Sequence, residues 1–188
     1  MYHIKDSEFI RGEVPITKEE IRWVSIGKLQ IEESDICLDI GGGTGSISIE
    51  MANFATKGKV FVIETNEEAI SLINQNIEKF KKNNIELIKG LAPVDLPNKK
   101  FDKIFVGGTK GKIEKILDYV EENLAEDGKI VLNFIVLENL LSGLNGLKTR
   151  KFKNIEVTQI QTSKNRLVGN MNMMIGGNPI FIISAERG

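Results

Sequence analysis

The stretch Ile36-Cys-Leu-Asp-Ile-Gly-Gly-Gly-Thr-Gly45 runs from a short apolar segment into a turn that contains four glycines. Residues Gly45–Ala55 follow with helical spacing, since Ile47, Met51 and Phe54 fall on one face. A strand, a glycine turn and a helix in this order bring bare backbone close to the free N–H groups of a helix N-terminus. The stretch therefore predicts an α/β unit whose first turn holds a ligand.

Strand and helix patterns alternate after this turn. Strands are predicted at Ile36–Ile40, Val60–Ile63, Ile85–Ile88, Asp102–Val106 and, after a turn at Asp127-Gly128, Lys129–Val136. Helices are predicted at Gly45–Ala55, at the segment that Asn66 caps and that carries Ile70, Ile73, Ile77 and Phe80, and at Lys112–Leu124. This alternation favours a parallel sheet with helices on both faces.

The end of the chain breaks the alternation. Ile155–Ile160 and Ile180–Ser184 read as strands, and only a loop rich in Gly, Asn and Met lies between them. Two strands without a crossover helix must pair antiparallel. The predicted fold is therefore α/β and Rossmann-like, with a mostly parallel seven-stranded sheet and an antiparallel C-terminal strand.

Composition narrows the class of protein. The chain has 188 residues, 41% of them hydrophobic and 27% charged, which suits one globular domain with a sizeable core. A net charge of −1 argues against a dedicated nucleic-acid binder. Cys37 lies in an apolar run and is expected to be buried, and His3 is the single histidine, so neither a disulfide nor a His/Cys metal site is expected. The N-terminus has no signal-peptide core and no segment reads as a membrane span, so a cytoplasmic protein is expected.

The domain organisation follows from the absence of repeats, low-complexity tracts and linkers. A single domain is predicted over residues 1–188. Within it, residues 1–30 form a lead-in and a helix, residues 36–140 a cofactor-binding core, and residues 150–188 an antiparallel hairpin with a loop on the substrate side.

The ligand of the glycine turn has two readings. A dinucleotide fingerprint, Gly-x-Gly-x-x-Gly, would place a glycine at position 46, where Ser46 stands. Asp39 before Gly41-x-Gly43-x-Gly45 instead resembles the S-adenosylmethionine turn of class I methyltransferases. That resemblance implies their fold and a methionine group packed against the turn, which comprises Gly41, Gly42, Gly43, Thr44 and Gly45. Asp39 would then hold this region or the amino group of the cofactor.

Residues after the second and third strands extend this site. Glu64 ends the second strand, where a carboxylate can accept hydrogen bonds from both ribose hydroxyls in either kind of nucleotide fold. Many methyltransferases carry an Asp where Leu91 stands. Adenine is then expected to be read by backbone groups around Leu91 and Ala92, with the Leu91 side chain as an apolar wall.

The loop Val106-Gly-Gly-Thr-Lys-Gly111 follows the fourth strand. Methyltransferases that modify base amino groups often carry Asn/Asp-Pro-Pro-aromatic at this point, and this sequence does not. Base methylation is therefore not expected. The glycines leave room beside the methyl group for a bulky, flat acceptor.

The whole chain resembles one methyltransferase branch, the decarboxylating precorrin methyltransferases of cobalamin biosynthesis that act on (cobalt-)precorrin-6B. The resemblance rests on four segments in order, which are Pro15-Ile-Thr-Lys-Glu-Glu-Ile-Arg22, Asp39–Gly45, Val106–Gly111, and Arg166–Met174 with Asn178-Pro-Ile180. Leu91 and Gly42 depart from the usual pattern, in which Asp and Cys or Ala are common. The length resembles the separate-subunit form, the precorrin-8w decarboxylase type.

This resemblance implies a reaction and partners. The reaction is methyl transfer to carbon 15 of the tetrapyrrole together with loss of carbon dioxide from the ring C acetate. A homo-oligomer is implied, with a tetramer favoured, and a separate methyltransferase for carbon 5 would be the pathway partner. The order of the two steps and the presence of cobalt in the substrate stay open.

Several residues are candidates for the acceptor side. Cations suit a substrate with many carboxylates, and Lys110, Lys164 and Arg166 are predicted in loops that face the acceptor. Glu138 could tune protonation of the ring. Solvated surface positions are the alternative for all four residues. The methionines between the last two strands could wall the acceptor pocket or pack in a core or interface; they are Met171, Met173 and Met174.

Thr17 also has two readings. It stands three residues before Glu20, which is the capping-box spacing, and it precedes an apolar pattern at Ile21, Val24 and Leu29. In the resembling family the matching threonine lies near the cofactor, so both roles are expected here.

Other functions remain open on the sequence alone. A methyltransferase for another small molecule or a protein would share the cofactor turn but not the end segments. A nicotinamide-binding oxidoreductase is a second class, which titration with the two cofactors would separate. A nucleoside-binding module without turnover is a third, which should bind S-adenosylmethionine yet convert no tetrapyrrole.

Overall fold

The computed structural model describes residues 3–188. After a 3₁₀ turn at Asp6–Glu8, the helices are Glu19–Leu29 (α1), Ser46–Phe54 (α2), Glu67–Lys79 (α3), Ile113–Asn123 (α4) and Leu137–Thr149 (α5). The strands are Ile36–Ile40 (β1), Lys59–Glu64 (β2), Ile85–Lys89 (β3), Phe101–Val106 (β4), Leu124–Phe134 (β5), Lys153–Ile160 (β6), Ser163–Val168 (β7), Met171–Gly176 (β8) and Ile180–Glu186 (β9).

Seven strands form one sheet in the order β3-β2-β1-β4-β5-β9-β6. Strands β1 to β5 are parallel, and β9 lies antiparallel between β5 and β6. The mostly parallel seven-stranded sheet of the prediction is confirmed. The strand order reverses between β1 and β4, and in such sheets ligands bind in the crevice at the carboxyl ends of the strands on either side of the reversal.

Two apolar layers cover the sheet. Because successive strand residues point to opposite faces, Leu38 packs into one layer and Cys37 into the other. Helices α4 and α5 close the layer around Leu38, whereas α1 and α2 close the layer around Cys37. Cys37 is fully buried, as predicted. Asn66 caps α3 as predicted, since its side chain accepts a hydrogen bond from the Ala69 N–H at 3.0 Å.

The predicted capping box at Thr17 and Glu20 is wrong. Helix α1 begins at Glu19, Lys18 is its N-cap, and no side chain caps it. Two competing interactions explain the difference. The Glu19 side chain accepts a hydrogen bond from the Asp6 N–H at 2.8 Å, and Glu20 pairs with Lys164 at 2.9 Å.

Helix α5 and the shape of β5 were not predicted. The turn at Asp127-Gly128 lies inside β5, as an irregularity in its pairing with β4. In α5, Gly143 and Gly146 lower the helical propensity, which hides the pattern. Both positions need glycine for packing, since a Cβ atom would lie 2.7 Å from the Phe134 ring and 2.4 Å from Leu117.

The segment predicted as a loop between the last two sheet strands forms a second antiparallel hairpin. Strands β7 and β8 pair along their whole length and turn at Gly169-Asn170, where Gly169 has φ of 59°. All their residues are exposed. We call this segment, Ser163–Gly176, the hairpin arm. A two-residue turn that starts with Gly is a hairpin signal, but the strand residues lack a regular alternation of apolar and polar side chains, which hid it.

Candidate functional site

The glycine turn lies where β1 ends, beside the loop that follows β4. Gly41, Gly43 and Gly45 have φ of 80°, 56° and 78°, a region that only glycine adopts without strain. A Cβ atom on Gly41 would stand 2.8 Å from the Gly108 backbone nitrogen. The N–H groups of Gly107 and Gly108 both point to the Ile40 carbonyl. The two glycine loops therefore form one close-packed backbone ridge at the carboxyl edge of the sheet.

A large cavity of about 770 Å³ opens on one side of this ridge. Its walls are the lead-in at Pro15–Lys18, the turn at Gly41–Thr44, the end of β5 at Asn133–Ile135 and part of the hairpin arm with its flanks. We call this the large cavity. Its volume suits a small-molecule ligand of considerable size.

A small cavity of about 110 Å³ opens on the other side of the ridge. It is lined by Glu64, Thr65, Leu91, Ala92 and the loop around Gly108, and Gly41 lines both cavities. An elongated ligand could therefore cross the ridge at Gly41 with one end in each cavity.

Glu64 is oriented by three backbone N–H groups. Its Oε2 accepts from Gly43 at 3.1 Å, and its Oε1 accepts from Thr65 at 2.7 Å and from Asn66 at 2.9 Å. These bonds fix the carboxylate at the end of β2, where it lines the small cavity. A carboxylate held in this way keeps lone pairs free for hydroxyl donors, as sugar binding requires.

Asp39 lies behind the turn and lines neither cavity. It is buried, and Ser48 donates a hydrogen bond to its Oδ2. Burial raises the pKa of Asp39 to about 7; the Ser48 hydrogen bond opposes this shift and the nearby Glu64 charge adds to it. Its Oδ1 has no hydrogen-bond partner within residues 3–188. This placement fits a residue that supports the turn from below.

Thr44 lines the large cavity, and its buried hydroxyl is unpaired in the described part of the chain. Its side chain is 1% exposed. The Thr44 carbonyl, by contrast, accepts from Asn76 at 2.9 Å. A buried hydroxyl without a partner is costly, so a polar ligand group at this position would complete it. The residues of the site thus fit a nucleoside with a polar amino-acid tail.

Three other residues that were predicted to contact the cofactor line one of the two cavities. Thr17 lines the large cavity, and Leu91 and Ala92 line the small cavity. The backbone of Leu91 is already used, since its N–H donates to the Asp95 carboxylate at 2.8 Å and its carbonyl accepts from the Asp95 N–H at 3.1 Å. Leu91 therefore offers the small cavity its side chain, and the predicted contact of adenine with backbone groups around Leu91 and Ala92 stays a prediction.

The four residues predicted for the acceptor side lie in different places in the structure. Lys164 and Arg166 line the large cavity, but on strand β7 and not in a loop. Lys110 lines the small cavity and not the large cavity, and its Nζ donates to the Thr65 hydroxyl. Glu138 is exposed in the first turn of α5 and lines neither cavity, so the structure gives it no contact with the site.

The methionines of the hairpin arm form neither the cavity wall nor a core. Met171, Met173 and Met174 are exposed and line neither cavity. The large cavity instead takes Ile175 and Gly176 from strand β8.

Two important residues were missed. Asn133 lines the large cavity, and its signal was a lone polar residue within the apolar run Ile130–Val136. Arg22 is completely buried and pairs with Asp6 at 2.9 Å and with Glu50 at 3.3 Å. Its signal was an arginine on the inward face of a predicted helix.

A family model described as a precorrin methyltransferase domain matches residues 8–187. The chain belongs to this family. Membership makes it a methyltransferase with S-adenosylmethionine as methyl donor, which confirms the predicted enzyme class and cofactor and excludes the oxidoreductase alternative.

Relatives of this chain are similar to it in sequence over nearly their whole length. A protein from Saccharolobus solfataricus is 42% identical over 98% of this chain and 95% of its own, and one from Methanocaldococcus jannaschii is 40% identical over 99% of both. Both are named probable cobalt-precorrin-6B C(15)-methyltransferase (decarboxylating).

Solved structures of the family superpose closely. A precorrin-6y C5,15-methyltransferase from Geobacter metallireducens has a TM-score of 0.92 at 33% identity and covers 98% of this chain and 96% of its own. Precorrin 8w decarboxylase from Methanobacterium thermoautotrophicum has a TM-score of 0.89 at 28% identity, with 97% and 98% covered. The predicted class I methyltransferase fold is confirmed.

Proposed function

We propose that this precorrin methyltransferase methylates carbon 15 of a precorrin, with or without cobalt, and removes the ring C acetate carboxyl as carbon dioxide in cobalamin biosynthesis. One observation carries the proposal. A cavity of about 770 Å³ opens onto the glycine ridge of a chain that matches relatives named for this reaction over 98% of its length. The cavity has both the position and the size for a bulky acceptor beside the methyl donor.

The cofactor would lie across the ridge. Its methionine end would contact Thr17 and the turn at Gly41–Thr44, while Glu64 would hold the ribose in the small cavity. The Leu91 side chain and Ala92 would border adenine. When bound, S-adenosylmethionine supplies an electrophilic methyl group.

Asp39 and Gly45 would act indirectly, whereas Gly42 would both contact the cofactor and fix the turn against β2. Asp39 would stiffen the turn through Ser48, and Gly45 would supply the positive φ at the N-cap of α2. Gly42 packs against β2 so closely that a Cβ atom would lie 2.3 Å from Val62. A larger residue at Gly42 would displace the turn from β2.

The protein contribution to methyl transfer is positioning. An electron-rich ring carbon needs no strong base, so alignment of the acceptor against the donor supplies much of the rate. Arg166 has no ion-pair partner within residues 3–188 and can bind substrate carboxylates in bidentate geometry. Lys110, on the adenosine side, would hold the end of β2 through Thr65.

We also propose the assembly and the setting. The 188 residues would act as one domain, in a homo-oligomer and most simply a tetramer, with a separate carbon-5 methyltransferase earlier or later in the pathway. Exposed apolar side chains on the hairpin arm support self-association, because contiguous apolar surface marks interaction sites. The cytoplasm is the proposed location. No helix in the part of the chain that the structure describes has the length and apolar character of a bilayer span.

Mass spectrometry tests the reaction. The protein is incubated with methyl-labelled S-adenosylmethionine and (cobalt-)precorrin-6B or -7, and the product should gain one labelled methyl group and lose the mass of carbon dioxide. Glu64→Ala should weaken cofactor affinity by about tenfold or more, since it removes charge-assisted hydrogen bonds, while Glu67→Ala in the next helix should not. Cofactor binding without any conversion of a tetrapyrrole would contradict the proposal.

A further inference from the structure

The large cavity has an uneven distribution of charge. The cations that line it are Lys18, Lys164 and Arg166, and all three belong to exposed positions at its rim. The buried part of the lining is neutral, with Ile16, Ile21 and Phe134 among its side chains. We call this neutral part the cavity floor.

Asp6 is the acidic side chain among the described lining residues, and it does not give the buried lining a net charge. Asp6 accepts from the Arg22 guanidinium at 2.9 Å, and Arg22 itself is completely buried behind the wall. The Asp6 charge is therefore compensated by Arg22. A substrate carboxylate on the floor would meet neither a free cation nor a free anion among the described lining residues.

Asn133 brings one amide to this floor. Its Nδ2 donates to the Ser25 hydroxyl at 2.9 Å, and that hydroxyl donates onward to the Ile21 carbonyl at 2.8 Å. An amide nitrogen carries two hydrogens, so the second N–H of Asn133 remains for a ligand. The hydrogen bond to Ser25 of α1 fixes the orientation of this amide, which lines the cavity. The neighbouring residues at this end of β5 are apolar.

The chemistry of carbon dioxide loss favours such a place. The bond between the acetate methylene and its carboxylate breaks, the electron pair enters the conjugated macrocycle, carbon dioxide leaves, and the methylene carbon later takes a proton from solvent. Negative charge therefore leaves the carboxylate as the transition state forms. A cation bound to that carboxylate would stabilise the ground state more than the transition state and would slow the step.

We infer that Asn133 is the residue that positions the departing acetate carboxylate, on the neutral floor, while Arg166 at the rim binds carboxylates that the product keeps. The inference rests on the proposed function and adds to it a division of labour within the cavity. Asn133 orients the acetate through a neutral N–H, and water is kept from it by Ile21 and Phe134. Arg166 anchors the macrocycle without touching the reacting group.

Separate readouts for the two roles test this division. Carbon dioxide release is followed from substrate labelled in the ring C acetate carboxyl, methyl transfer from labelled cofactor, and macrocycle affinity by absorbance titration. Asn133→Ala should slow carbon dioxide release at saturating substrate by about tenfold or more, with macrocycle affinity changed by less than about threefold. Arg166→Ala should instead weaken macrocycle affinity by about tenfold or more and change carbon dioxide release at saturating substrate by less than about threefold. A parallel fall in methyl transfer in the Asn133 variant would mean that decarboxylation comes first, and it supports the inference.

Two further variants serve as controls. Asn123→Ala removes a buried amide at the last residue of α4, just before β5, where it donates to the Tyr119 carbonyl, and it should leave both rates as in the wild type. Asn133→Ser keeps a short donor, should give an intermediate rate, and replaces the alanine variant if that one does not fold. Because a purely structural role would lower cofactor affinity and melting temperature as well, both are measured for each variant.

The outcomes distinguish the two proposals. A wild-type protein that releases no carbon dioxide overturns the proposed function and this inference with it. Wild-type release that Asn133→Ala leaves unchanged, or that falls only in proportion to a lost macrocycle affinity, overturns this inference alone.

Discussion

Thr17 illustrates how one residue separates backbone and side-chain roles. Its side chain lines the large cavity, and its carbonyl accepts from the Arg22 guanidinium at 2.6 Å. Since the hydroxyl caps no helix, Thr17→Val should change the free energy of unfolding by less than about 0.5 kcal/mol. The same change should weaken S-adenosylmethionine binding several-fold by calorimetry.

The opposite result at Thr17 would reject the binding role. That result is a loss of stability with unchanged cofactor affinity. Thr56→Val, at an exposed threonine that lines neither the large nor the small cavity, is the matched control and should leave cofactor affinity as in the wild type.

Asp39 predicts a pH dependence of stability. Its pKa rises to about 7 on folding from an ordinary value of 3.8, mainly because of burial. The folded protein therefore holds this proton more tightly than the unfolded chain, and the stability it contributes is complete below about pH 4 and lost as pH rises through about 7. Asp39→Asn should remove up to about 4 kcal/mol of this pH-dependent loss.

Urea unfolding of both proteins between about pH 4.5 and 8 measures the Asp39 contribution. The wild type should lose more stability across this range than the variant. Asp127→Asn, on an exposed turn where φ is 58°, is the control and should follow the wild-type profile. Superimposable profiles for wild type and Asp39→Asn would show that Asp39 stays ionised in the fold.

At the scale of elements, Arg22 joins the lead-in to the body of the protein. Its guanidinium binds Asp6, the Ile4 carbonyl and Glu50, and so ties the N-terminal segment to α1 and α2. Arg22→Met should cost about 3–5 kcal/mol, because it leaves carboxylates buried without their partner. Chemical denaturation gives this free energy of unfolding.

Arg150 supplies the comparison for Arg22. It also faces three carboxylates, those of Glu114, Asp118 and Glu121, but each of these is half exposed or more. Screening by solvent reduces such pairs to about 1 kcal/mol or less. Arg150→Met should therefore cost much less than Arg22→Met, and equal costs would contradict the assignment of Arg22 as the buried tie.

The helices and strands also differ in how well the sequence predicts them. Strands β1, β2, β4 and the helix α3 were predictable because an apolar period, a cap and a turn agree within each segment. Helix α5 was not, because its two glycines serve contacts with Phe134 and Leu117 that lie outside the helix. The hairpin arm was not predictable, because all residues of its two strands are exposed and their sequence therefore shows no alternation of apolar and polar side chains.

For the whole molecule, the hairpin arm carries the prediction of assembly. Leu167 and Met171 are 66% and 71% exposed near its tip, and Val168 between them is 46% exposed. The double variant Leu167→Glu with Met171→Glu should reduce the mass measured by light scattering toward that of one chain, because charge opposes burial of this surface. Val94→Glu, an exposed apolar position outside the arm, is the control.

A wild-type protein that is monomeric at micromolar concentration would make the homo-oligomer proposal wrong. An oligomer that the double variant leaves intact would place the interface elsewhere. Cofactor affinity should be retained in the double variant, since neither residue lines a cavity.

The sequence by itself determined the glycine turn, the carboxylate Glu64 after β2, the parallel order of strands and the family. Each of these is written within a short segment, where the spacing of glycines, caps and apolar residues acts directly on the local backbone. The tertiary structure alone decided that Lys110 faces the small cavity, that Glu138 lies outside the site and that Asn133 lies within it. The physical reason is that a side chain's surroundings come from elements distant along the chain, as in the bond that joins Ser25 of α1 to Asn133 of β5.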